Sequence, residues 1–227
     1  MVSNFDFLKK DFPVLSNFGE MAEKYCYSDS NSCLMKLGMI GETIVNLMFT
    51  YDRIAFPHDN TAVARIDTLS REGLLTSDLV TILHGLRKVR NKAVHENYAS
   101  IADDKTFLPM AHSLCEWFMQ TYGDWNYSHK DFVMPEENTV SVTVDKEAEE
   151  KKESELTKLA EQTAAAAPIV EQTERKKQAY KAANQRPKTE AETRFLIDEQ
   201  LRMVGWDADT ENLRYSKGTR PTKGRNL

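Results

Sequence analysis

Arg90, Asn91 and His95 lie in the run Leu86-Arg-Lys-Val-Arg-Asn-Lys-Ala-Val-His-Glu96, in the order Arg-Asn-x-x-x-His. A guanidinium beside an amide and an imidazole can bind a phosphate. The same set could cut an RNA phosphodiester, with His95 as acid or base and Arg90 opposite the developing charge. On an unbroken helix Arg87, Asn91 and His95 are spaced by four and share one face, whereas Arg90 stands about 140° round from His95. Bringing Arg90 and His95 onto one phosphate therefore requires unwinding near residues 93–95 or a partner subunit. The competing reading is structural: Arg90 pairs with an acidic neighbour such as Glu42, while Asn91 and His95 hydrogen-bond an adjoining helix. Local chemistry alone favours that second reading.

The elements that must position these residues read as helices. Residues 3–27 place Phe5, Leu8, Phe12, Leu15, Phe18, Met21, Ala22 and Tyr25 three and four apart, a helical period that Pro13 can split. Ser30-Asn31-Ser32 offers caps for the next helix, with an apolar face through Leu34, Leu37, Gly41, Ile44, Val45 and Met48. Gly38 and Gly41 each cost that helix about 1 kcal/mol against alanine, so the sequence predicts close packing on a neighbouring helix. A shorter helix covers 62–72 through Val63, Ile66 and Leu69, ended by Glu72-Gly73. Ser77-Asp78 is expected to cap the helix carrying Arg90, whose stripe is Leu79, Ile82, Leu83, Leu86, Val89, Ala93 and Val94. Another helix follows Asp103-Asp104 with Phe107, Met110, Ala111, Leu114, Trp117, Phe118 and Tyr122. Strand-like alternation is absent from residues 1–125, which defines an all-α bundle.

Composition changes after Tyr127. Residues 128–144 read as a loop around Pro135, and 145–186 are nearly all Glu, Lys, Gln, Ala and Thr. Leu156, Leu159, Ala160 and Ala164 give only a thin apolar seam, interrupted by Pro168, so an exposed helical linker in two pieces is expected. A new pattern starts at Pro187: Thr189 caps a helix with Glu192 at capping-box distance. Thr193, Ile197, Leu201 and Val204 form its stripe, and Gly205 can stop it. A helix with an apolar face and nothing after it to bury that face reads as the start of an incomplete domain, hence as the front end of a longer protein. The expected division is a helical bundle over 1–127, a loop and charged linker over 128–186, and a truncated domain over 187–227.

The formal charge of −5 does not advertise nucleic-acid binding. The average hides a basic end (Arg214, Lys217, Arg220, Lys223 and Arg225, with Glu211 near them) that is compatible with phosphate contact. Cys26, Cys33 and Cys115 are odd in number and spaced unlike zinc ligands or a disulfide framework, so they are read as reduced, mostly buried thiols. The N-terminus has no apolar run of signal-peptide length, and no stretch is read as approaching the roughly 18–20 apolar residues of a membrane span. A soluble cytoplasmic chain without a membrane partner is expected.

Residues 1–127 resemble a HEPN domain (higher eukaryotes and prokaryotes nucleotide-binding), a helical bundle marked by Arg, a polar residue and then His. Arg90, Asn91 and His95 match that pattern at its shortest spacing. The resemblance implies phosphate contact by these residues and, in some members, metal-independent ribonuclease activity across a dimer. A second resemblance spans the whole chain. Asn4-Phe-Asp-Phe-Leu8, Lys36-x-x-x-x-Gly41-Glu42 and Leu83-x-x-Leu86-Arg87-x-x-x-Asn91-x-Ala93-Val94-His95 are similar to the R (restriction and motor) subunit of type I restriction enzymes. So is Thr189-Glu-Ala-Glu-Thr-Arg194…Leu196-Ile197-Asp198…Leu201…Gly205-Trp206.

That second resemblance implies a helical N-terminal region, then an α/β PD-(D/E)XK nuclease domain of which only the first helix is present, then a translocase motor. Glu192, or less favourably Glu190, becomes the outer carboxylate of an incomplete Mg²⁺ site; helix capping and surface charge are its bland alternative. Mg²⁺ and ATP are implied for the longer parent and no cofactor for these residues. The implied partners are the modification and specificity subunits, and DNA through the full-length protein. On this reading Arg87, Arg90, Asn91 and His95 serve packing or docking, and the chain itself has neither nuclease nor ATPase activity. The alternative is a stand-alone HEPN-type ribonuclease or toxin using Arg90 and His95.

Overall fold

The computed structural model describes residues 2–137 and 145–208, with Leu213 and Gly218. The basic end expected to touch phosphate (Arg214, Lys217, Arg220, Lys223 and Arg225) lies outside the described residues, as does Glu211. Among the described residues the chain is all helical. After a 3₁₀ turn at Asp6–Leu8 come α1 (Pro13–Tyr25), α2 (Ser30–Tyr51), α3 (Ala62–Arg71), α4 (Ser77–Glu96), α5 (Ile101–Tyr122), α6 (Lys146–Ala166), α7 (Gln172–Gln185) and α8 (Glu190–Met203). They fall into two compact units, Met1–Pro187 and Lys188–Leu227.

Helix α2 is the axis of the first unit, with α1, α3, α4, α5 and α6 all packed on it. Leu34, Leu37, Ile40, Ile44 and Met48 are fully buried along it. Its cap is Asp29, which accepts from the Ser32 amide at 3.1 Å; the expected caps Ser30, Asn31 and Ser32 instead lie inside the first turn. Asn31 does different work. Its amide donates to the Ala93 carbonyl at 2.8 Å and the Tyr98 carbonyl at 2.9 Å, satisfying backbone acceptors where α4 ends. Among the described residues α2 has the length and composition to cross a membrane, contrary to the sequence reading, but 61% of its most apolar stretch is buried inside the bundle.

Close packing is realised at Gly38. A β-carbon there would fall 2.2 Å from Cβ of Arg90, so α4 can lie across α2 only because position 38 lacks a side chain. Helix α4 starts from Thr76, which makes no side-chain cap bond, rather than from Ser77-Asp78. It runs unbroken to Glu96 and closes on Asn97 in the left-handed conformation, at φ 49°. Val94 and Val63, both read as core, are half exposed at 48% and 39%. Ser100, accepting from the Asp103 amide, caps α5. Pro109 sits within α5, whose Trp117, Phe118 and Leu114 are buried.

The segment expected to be an exposed linker is docked on the bundle. Lys36 reaches α6 through Glu149 at 2.6 Å and Glu153 at 2.5 Å, and Tyr25 donates to Glu149 at 2.9 Å. Arg53 caps the carboxyl end of α6, donating to the carbonyls of Ala164, Ala165 and Ala167 at 2.6–3.2 Å. Helix α7 is held by Arg175, which pairs with Asp52 at 3.1 Å, lies 4.3 Å above the Tyr122 ring and donates to the Thr121 carbonyl. The Trp117 indole donates to the Ala179 carbonyl at 3.0 Å. These helices bury alanines and charges rather than leucines, which is why an apolar-face criterion passed over them. Leu159, one of the expected seam residues, is 51% exposed.

In the second unit Thr189 caps α8, accepting from the Glu192 amide at 3.1 Å, and Gly205 ends the turn after it at φ +90°. The stripe residues Ile197, Leu201 and Val204 are exposed, as is Trp206.

Candidate functional site

A cavity of about 390 Å³ opens between α2, α3 and α4. Gly38 and Gly41 line it on α2, where a β-carbon would meet Arg90 and Leu86 of α4. Three guanidiniums, Arg65 from α3 with Arg87 and Arg90 from α4, border it together with Asn46, Asn91 and a single carboxylate, Glu42. Val45, Ile66 and Leu83 add an apolar wall.

Each cation is held differently. Arg90 pairs with Glu42 at 3.0 Å, as the structural reading of the sequence anticipated. Arg65 donates to Asn46 and Asn60, both at 2.7 Å, and lies over the Phe56 ring, which stacks on Phe49. The Nε atoms of Arg87 and Arg90 are buried without a hydrogen-bond partner, a costly state for a cationic donor. With three cations against one carboxylate, the cleft suits an anionic group bound by charge-assisted hydrogen bonds. Behind it, burial and the adjacent Arg87 hold the His84 imidazole below its usual pKa against the pull of Asp67, 3.7 Å away. Neutral His84 adds no charge.

The structure brings Arg87, Arg90 and Asn91 to one cleft and leaves His95 out of it. His95 is exposed in the last turn of α4. Because α4 stays helical to Glu96, the unwinding needed to place His95 beside Arg90 is not made within one chain. Among the described residues Asn91 and His95 do not hydrogen-bond an adjoining helix, and Asn31 ties the end of α4 to α2 instead. Arg65 and Asn46 were missed by the sequence reading. The available signal was the Gly38-x-x-Gly41 pair, which marks a helix face approached closely by its neighbours.

Glu192 lies in the first turn of α8, and Glu190 pairs with Arg194 along the helix. The cysteines are buried free thiols. Although spaced unlike metal ligands in the chain, Cys26 and Cys33 meet in space, together with Asp104.

An all-helical bundle around a cationic, glycine-floored cleft is thus the class of protein that fold and site define. Residues 20–159 match a family described as a domain of unknown function (DUF4145), and the chain belongs to that family. It is also similar to the type I restriction enzyme EcoKI endonuclease subunit of Escherichia coli (strain K12), with 27% identity over 279 aligned positions. That alignment takes in 99% of this chain but spans only 23% of the length of the relative. No solved structure matches.

Proposed function

We propose that this chain is the N-terminal region of a type I restriction endonuclease subunit, a helical docking region followed by the first helix of the nuclease domain, without nuclease or ATPase activity of its own. The observation that carries this is the similarity to the EcoKI endonuclease subunit across 99% of the chain. The parent protein cuts foreign DNA in an ATP-dependent reaction in the cytoplasm, with ATP and the remaining Mg²⁺ ligands held by segments outside these residues. Its partners are the modification and specificity subunits and, through the full-length protein, DNA. Helix α8 opens the nuclease domain, with Glu192 as its outer carboxylate, and the exposed stripe Ile197, Leu201 and Val204 is covered by the rest of that domain.

The cleft of Arg65, Arg87 and Arg90 then receives an acidic side chain of the modification core. On this account the 227-residue chain with Mg²⁺, ATP and duplex DNA neither cleaves the DNA nor releases phosphate. Cutting that survives repurification and disappears in Glu192→Ala would sink the proposal.

A second reading draws on the placement of Arg87, Arg90 and Asn91 around one cationic cleft: a HEPN-type ribonuclease in which Arg90 meets His95 of a second copy. Its signature is RNA cleavage by the wild-type chain that is lost in His95→Ala and returns when that variant is mixed with Arg90→Ala. The docking account expects no cleavage in any of these.

A further inference from the structure

We propose that Cys26, Cys33 and Asp104 form a metal site for a soft divalent cation, with Zn²⁺ the ion that their donor set selects. The three come from separate parts of the chain: Cys26 from the residue that ends α1, Cys33 from the first turns of α2, and Asp104 from the start of α5. One ligand atom from each lies within 4.8 Å of the other two. Zn–S bonds of about 2.3 Å and Zn–O bonds of about 2.0–2.2 Å place tetrahedral ligands a little closer than this, so modest contraction around an ion suffices.

Two observations turn proximity into a site. All three residues are fully buried, at 0% exposure, and the side chains that meet the Asp104 carboxyl are neutral donors, the Ser30 hydroxyl and the Cys33 thiol. Among the described residues no cationic side chain pairs with this buried carboxyl, so a carboxyl beside two thiols leaves room for a cation as its counter-charge. Burial already disfavours charge on this carboxyl, and Asp103 and Asp29 add negative field there. Thiolate sulfur selects zinc over magnesium or calcium, which take oxygen ligands. Three protein donors leave one tetrahedral position; the Ser30 hydroxyl, which accepts from the Ser100 amide at 2.8 Å, is a neighbouring oxygen.

The location gives such an ion a structural task. Ser30 holds Ser100, Asn31 holds the end of α4 and Tyr98 donates to Asp103 at 2.9 Å, all at the same end of the bundle. A cation there would tie the α1–α2 turn to the start of α5.

The test is metal content and spectroscopy on the full chain prepared under reducing conditions. The expected result is about one zinc per chain by native mass spectrometry, replaceable by Co²⁺ with a sulfur-to-metal charge-transfer band. Asp104→Asn and Cys33→Ser should weaken Zn²⁺ binding beyond the roughly 10–100-fold that loss of an outer-shell partner costs, with Cys115→Ser unchanged. The wild-type measurement stands even where a variant does not fold. Absence of zinc together with absence of a charge-transfer band on Co²⁺ titration would overturn the proposal. So would a Cys26–Cys33 disulfide in a chain that binds no metal once reduced.

Discussion

Arg90 and His112 are two residues whose surroundings fix what they can do. Arg90 crosses α2 over Gly38, and a methyl group there would drive into its Cβ at 2.2 Å. Gly38→Ala recovers about 1 kcal/mol of helix propensity but forces α4 away, an overpacking cost of roughly 1–3 kcal/mol. Net destabilisation in urea unfolding is expected, with loss of the Arg90–Glu42 pair; a stabilised variant would contradict this packing.

His112 is buried against Phe5, Phe7 and Phe132, with Glu116 at 3.9 Å. Burial holds its pKa below the usual 6.5; Glu116 and the hydrogen bond at Asn4 pull upward, and His129 adds a small push downward. The folded state therefore keeps His112 neutral while the unfolded chain takes up the proton as pH falls through 6.5. The contribution of His112 is lost on that side, while the buried Asp104 carboxyl, raised to about 7, contributes in the opposite sense. The wild type should therefore lose unfolding free energy relative to His112→Gln between about pH 7 and 5, and a constant difference between the two across that window would contradict the assignment.

At the scale of elements, helices α1 to α5 were legible because each buries an apolar stripe with a period near 3.6. Their starts were less so: Asp29, Thr76 and Ser100 hold the cap positions, within a few residues of Ser30, Ser77 and Asp103. Neighbouring polar residues compete as caps, and only backbone geometry decides among them. Helices α6 and α7 were misjudged as an exposed linker because their contacts are made by charges whose partners are far away in the chain. Arg175 finds Asp52 and Tyr122, and Lys36 finds Glu149 and Glu153; neither pairing has a local signature. The Asp52–Arg175 pair has side chains only 4–5% exposed. Arg175→Ala leaves Asp52 without its ion-pair partner and should cost about 3–5 kcal/mol, lowering the unfolding midpoint and exposing Trp117 as α7 loosens. A cost below about 1 kcal/mol, the range of an exposed pair, would mean that α7 does not stay docked in solution.

At the scale of the molecule, a chain of charge −5 carries a cleft where three arginines meet one glutamate. The angular argument about Arg90 and His95 was available in the sequence, since residues five apart on a helix diverge. That Arg65 completes the cleft was not, because it arrives on a different helix. The residues that carry the resemblance to a restriction subunit include Gly41, Glu42, Leu83, Arg87 and Asn91, which line that cleft, so resemblance and cleft bear on one surface. The direct measurement is sedimentation velocity of the purified chain with the modification–specificity complex of a type I restriction system from its own source organism. The docking account predicts co-sedimentation that weakens as salt rises and is lost in the folded double variant Arg65→Glu, Arg87→Glu. Independent sedimentation of chain and complex at low salt would contradict it.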